Sequence, residues 1–170
     1  MIPEPKGILI LATMDTKGPE ALYLRHKVEE SREKPLLLDF STRGERKKTE
    51  ADLPAFEVAR AGGATLKQLA SCRNRELNMK VMVSGALKIV HRLVSKGTIH
   101  GVLGIGGYTG ALMAAEVMHS LPFGFPKILV SSAAALPGLS TRFLQTSDIL
   151  LFNSVVEIAG LTGLLKNVLD

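Results

Sequence analysis

The chain has 170 residues, of which 46% are apolar and 22% charged, with a formal net charge of +5 and one cysteine, Cys72. That length predicts a single domain, residues 1–170, with enough interior for a real core. No apolar run approaches a membrane span, a lone cysteine excludes an internal disulfide, and Met1-Ile2-Pro3-Glu4-Pro5-Lys6 lacks the pattern of a secretion signal, so a cytoplasmic setting is expected.

Along the chain, strand signals alternate with helix signals. Gly7 to Ala12 is a short, wholly apolar run, as a strand covered on both faces should be. It runs into Thr13-Met14-Asp15-Thr16-Lys17, where Asp15 or Thr16 is placed to cap a helix and Pro19 to sit in its first turn. Ala21, Leu24 and Val28 then share one helical face, and Pro35 closes the segment. Leu36 to Phe40 is the second strand. Ser41 to Asp52 is polar and basic and reads as a loop, and Leu53 to Ala59 as a short helix ended by Gly62-Gly63. A long helix is expected from Asn74 to Ser95, with Met79, Met82, Ala86, Ile89, Val90 and Leu93 on one stripe.

The third strand leads into the most informative run of the chain, Gly101-Val102-Leu103-Gly104-Ile105-Gly106-Gly107-Tyr108-Thr109-Gly110-Ala111-Leu112. A strand that passes through glycines into a helix suits a phosphate, because the backbone can approach closely and the helix offers free N–H groups and its positive end. The spacing matches neither standard nucleotide-binding fingerprint, and a tight strand-to-helix turn without a ligand is the other reading. The next helix, Ala111 to Ser120, is apolar nearly all round. Lys127 to Val130 is the fourth strand and is followed by Ser131 and Ser132. Ile149 to Phe152 is the fifth, and a last helix carries Ile158, Leu161, Leu165 and Val168.

Five strands separated by helices predict an α/β fold, Rossmann-like or flavodoxin-like, with a five-stranded parallel sheet in the order 2-1-3-4-5 and helices on both faces. In that order strands 1 and 3 are neighbours where the winding reverses, and ligands bind at the carboxyl ends of strands at such a point. The Asp15-Thr16-Lys17 turn and the glycine loop (Gly104, Gly106, Gly107, Tyr108, Thr109, Gly110) therefore share a rim, with Ser131 and Ser132 beside them.

Each candidate has a chemical role there. Lys17 offers a point charge to a phosphate, Thr16 and Thr109 offer hydroxyls, and the glycines offer backbone amides. Asp15 either holds a ribose hydroxyl or metal-bound water or caps the first helix. Asp39, at the end of strand 2, is either a ribose-binding acid or a turn former. Arg43 either reaches the ligand or is solvated. Thr146-Ser147-Asp148 falls at the amino end of strand 5, where a structural turn is one reading. The histidines His26, His91, His100 and His119 lack metal-ligand spacing, and no nucleophile elbow or metal site is readable.

Met14-Asp15-Thr16-Lys17-Gly18-Pro19-Glu20, Asp39-Phe40-Ser41-Thr42-Arg43-Gly44, Gly101 to Gly107, Leu121 to Lys127, Thr146-Ser147-Asp148-Ile149 and Ser154 to Gly160 form an ordered series. It resembles the N-terminal domain of the Tm-one-like ATP-binding family, an uncharacterised family named after a plant protein that confers resistance to tomato mosaic virus. The resemblance covers about Gly7 to Leu165. It implies a Rossmann-like domain that binds ATP and is joined to a second α/β domain. This chain is then either a piece of such a protein or a half-length protein whose partner domain is separate. Two places depart from the family pattern. Tyr108 and Thr109 stand where it has serine and glycine, so that the loop is stiffer or Tyr108 packs on a base. Ser131-Ser132-Ala133-Ala134-Ala135-Leu136 and the loop after it, Pro137 to Gln145, are also altered.

The expectation is a domain binding a nucleotide or other phosphate ligand, ATP with or without Mg²⁺, that acts with a second copy or a second domain. The alternative is a non-catalytic assembly domain. A weaker one is nucleic-acid binding through Arg43, Arg46, Lys47 and Lys48, disfavoured because aromatic residues are only 5% and do not interleave with the basic ones.

Overall fold

A computed structural model describes residues 5–42, 50–156 and 160–170. Arg43 and the basic run Arg46-Lys47-Lys48 lie outside the described residues, as does Ile158. The strands are β1 (Gly7–Ala12), β2 (Lys34–Asp39), β3 (Gly101–Gly106), β4 (Lys127–Ser131) and β5 (Leu150–Asn153). The helices are α1 (Met14–Glu30), α2 (Ala55–Ala61), α3 (Leu66–Ser71), α4 (Arg75–Ser95), α5 (Tyr108–His119), α6 (Leu139–Leu144) and α7 (Gly163–Leu169).

The five strands form one all-parallel sheet in the order β2-β1-β3-β4-β5, the expected topology. Side chains alternate across it, as a pleated strand requires. Leu9, Leu11, Leu38, Phe40, Val102 and Leu129 pack with α2 to α5 on one face. Ile10, Leu37, Ile105 and Val130 pack with α1 and α7 on the other. Two apolar layers explain why the strands read as continuous hydrophobic runs.

Several elements differ from the sequence-based expectation. The cap of α1 is Thr13, not Asp15 or Thr16, and the helix breaks at Lys17 (φ −126°, ψ 22°). Pro19 explains the break, since it has no N–H to give the preceding turn. The last helix is shorter than expected. It starts at Gly163 with Thr162 as its cap, the Thr162 hydroxyl accepting from the Leu165 amide, and Leu161 precedes it. The end of α7 is tied to α1, where Tyr23 donates to Asp170 and Lys27 pairs with it at 3.0 Å. Helix α6 falls where a loop was expected, and α3 lies in a stretch to which the sequence assigned no element. A Thr65–Gln68 capping box starts α3, and Phe143, fully buried, anchors α6.

Asp148 pairs with Lys127 and accepts from the Gly124 amide at 2.7 Å, which fixes the turn leading into β4. No helix among the described residues is long and apolar enough to cross a membrane.

Candidate functional site

A cavity of about 340 Å³ opens at the carboxyl ends of β1 and β3. The turn after β1 supplies Thr13, Asp15, Thr16 and Lys17, and the start of α5 supplies Gly107, Tyr108, Thr109 and Gly110. The far wall is Phe40 and Thr42 after β2, with Arg75, Asn78 and Met79 from the first turns of α4, and Met113 from α5. The two turns meet closely. A Cβ on Gly110 would lie 3.5 Å from the Thr13 hydroxyl.

The two helix ends at the cavity are not equivalent. At α1, the Met14 amide donates to Asp39 Oδ1 (3.0 Å), the Asp15 amide to Ser41 Oγ (2.9 Å), and the Thr16 and Lys17 amides to the Thr13 carbonyl. Those donors are spent. At α5, Gly107 brings no side-chain cap and the first helical bond runs from the Ala111 amide to the Gly107 carbonyl. The amides of Tyr108, Thr109 and Gly110 therefore have no intrahelical acceptor and stand at the cavity wall with the positive end of the dipole.

Lys17 is 8% exposed and lines the same cavity, and no hydrogen bond or ion pair reaches its ammonium among the described residues. Its stem is buried while the charged end reaches the cavity, as long amphipathic side chains do. Arg75 adds an exposed positive charge on the opposite wall, and Asp15 is the single acid of the lining among the described residues. Asn78 is 7% exposed; its Nδ2 donates to the Leu69 (2.8 Å) and Cys72 (3.2 Å) carbonyls, which leaves Oδ1 buried without a partner.

Of the residues expected at the rim, Asp15, Thr16, Lys17, Gly107, Tyr108, Thr109 and Gly110 come together in the cavity, whereas others stand elsewhere. Asp39 is 6% exposed, and its Oδ1 accepts from Met14 N, Ser41 N and Ser41 Oγ, bonds that shape the turn. Gly104 faces α5, where an added Cβ would come within 2.8 Å of Leu129 and 3.0 Å of Ala114 and Met118. Gly106 lets the chain enter α5, since its Cβ would sit 2.8 Å from the Ala111 nitrogen. Ser131 is fully buried and accepts from the Ala133 amide. Ser132 does not line the cavity.

The sequence reading missed Thr13, Phe40, Thr42, Arg75, Asn78, Met79 and Met113 as cavity residues. Asn78 did leave a signal, a polar side chain one turn before Met82 on the apolar stripe of α4. No group of His, Cys, Asp or Glu side chains fit for a metal occurs among the described residues.

A sequence profile described as the N-terminal domain of an uncharacterised protein family (UPF0261) matches residues 6–170. The chain belongs to that family. It is 33% identical over 165 residues to a UPF0261 protein of Clostridium tetani, which covers 97% of this chain and 40% of that protein. A UPF0261 protein of Rhizobium meliloti is 31% identical over 96% of this chain and 39% of its own length. The ToMV resistance protein Tm-1 of Solanum lycopersicum is 28% identical over 96% of this chain and 23% of its own length. This UPF0261 domain thus spans well under half the length of these relatives.

Proposed function

We propose that this domain binds a phosphate-bearing nucleotide, with ATP as the expected ligand, in the cavity between β1 and β3. The observation that carries the reading is the meeting of Lys17, a cation whose stem is buried, with the amino end of α5, which has no side-chain cap, at one cavity. An anion there would satisfy the lysine and the free amides at once. Half-buried Met79 offers apolar surface of the kind a base needs, with the buried Phe40 and Met113 packed behind the wall. Asp15 lines the cavity and is the acid that would meet a ribose hydroxyl or, with Mg²⁺ carried by the nucleotide, a metal-bound water.

Titration calorimetry with ATP, with and without Mg²⁺, tests the reading. Heat that saturates, together with a ligand-dependent rise in melting temperature, is expected. Absence of both at millimolar nucleotide would remove it.

A second reading, an assembly domain, draws on a different observation. The face of the sheet beside α1 and α7 leaves a groove lined by Ile8, Leu24, Leu103, Ile128, Leu150 and Phe152, with Leu150 55% and Phe152 47% exposed. Exposed apolar surface of this kind marks contact with another protein surface. Light scattering on the wild type and on Phe152→Ser tests it, and a monomer in both would count against self-association.

A further inference from the structure

Tyr108 stands at the first position of α5, lines the cavity and is 45% exposed. Its hydroxyl accepts a hydrogen bond from Arg142 Nη1 at 3.1 Å. Arg142 lies on α6, far along the chain, and its position is well anchored. The next residue, Phe143, is fully buried, and the His119 ring meets the Phe143 carbonyl at 2.9 Å. The guanidinium is otherwise uncommitted among the described residues, with no carboxylate in ion-pair range. A guanidinium carries five donors in a fixed fork, and the phenol takes one.

The cations of this end of the fold are therefore graded in depth. Lys17 is buried in the cavity, the α5 amides form its wall, and Arg142 waits one hydrogen bond outside the lining. A single phosphate held by Lys17 and the amides would leave Arg142 unused. A chain of phosphates leading outward past Tyr108 would bring its outer charge to Arg142, with the geometry guanidinium groups favour.

Resting on the nucleotide reading above, we infer that Arg142, held by Tyr108, is a specificity-determining residue that selects ligands carrying an extended phosphate chain over monophosphates. The Tyr108 hydroxyl orients the guanidinium, and Arg142 contacts the outermost phosphate.

Titration calorimetry of the full chain with AMP, ADP, ATP and tripolyphosphate at fixed ionic strength tests this, using wild type, Arg142→Met and Tyr108→Phe. Wild type should bind ATP more tightly than AMP. Arg142→Met should weaken ATP and tripolyphosphate about tenfold while AMP affinity is unchanged. Tyr108→Phe should give a smaller loss in the same direction. Both side chains are exposed, and thermal melts equal to wild type are the expected control. Equal AMP and ATP affinities in wild type, or an ATP-to-AMP preference that survives Arg142→Met, would overturn the inference and leave the nucleotide reading standing. Failure of wild type to bind any of the four probes would instead remove the nucleotide reading and this inference with it.

Discussion

The carboxylate of Asp39 accepts the amide hydrogen of Met14 at 3.0 Å, across 25 positions of sequence. That bond joins the end of β2 to the first turn of α1, and it fixes the turn on which Asp15, Thr16 and Lys17 stand. The same oxygen takes the Ser41 amide at 2.8 Å and the Ser41 hydroxyl.

Asp39→Ala should therefore act through the fold. Leaving these buried donors unmet costs about 2–3 kcal/mol, and nucleotide affinity should fall with the loss of the turn. Asp39→Asn keeps an acceptor and should retain most of both. Denaturant melts and ATP titration check this. Loss of affinity in a fully stable Asp39→Asn would point instead to contact with the ligand.

Lys17→Met should separate stability from binding. The variant keeps the buried stem and removes only the ammonium at the cavity, so the ligand-free protein should melt within about 2 °C of wild type. ATP affinity should drop at least about tenfold through loss of a charge-assisted bond. Scanning calorimetry and nucleotide titration read the two effects independently.

The glycines before α5 should divide by role. Gly104→Ala presses on Leu129, Ala114 and Met118, for a cost of about 1–3 kcal/mol, and ATP affinity should be little changed in the folded fraction. Gly106→Ala presses on the backbone of Gly110 and Ala111, so it should displace the α5 amides and weaken binding. Melts and titrations side by side check the contrast.

Acid should release the Lys127–Asp148 link. The Lys127 ammonium, with help from the Gly124 amide, holds the Asp148 carboxyl down to about 2, against an ordinary 3.8. A carboxyl lowered in the folded state stabilises fully above its unfolded value, and the contribution is lost as pH falls from about 3.8 toward 2. Asp148→Asn should lower the melting temperature near neutrality and flatten its decline over that acid range. Thermal melts at successive pH values give the comparison.

The sheet order was legible because the five strands announce themselves as uninterrupted apolar runs separated by amphipathic helices. One connectivity rule then brings Lys17 and Gly107 to one rim. Helices α3 and α6 were not legible. Phe143 has a reason to be helical only because α5 covers it, and α3 depends on its capping box and on Asn78 of α4 holding its last carbonyls. Asp39, Gly104 and Ser131 read as ligand residues because acids, glycines and serines at strand ends serve either a turn or a substrate, and local sequence is the same for both.

From its sequence alone this protein was bound to form a parallel α/β layer, since apolar periodicity and hydrophobic burial act locally and leave few arrangements. Which polar groups face a ligand was decided only by tertiary structure. Asp39 and Ser41 take amides of α1, no side chain among the described residues caps α5, and Lys17 lines the same cavity. Those are matters of which donors and acceptors from distant segments meet in a water-poor interior, and no window of sequence contains them.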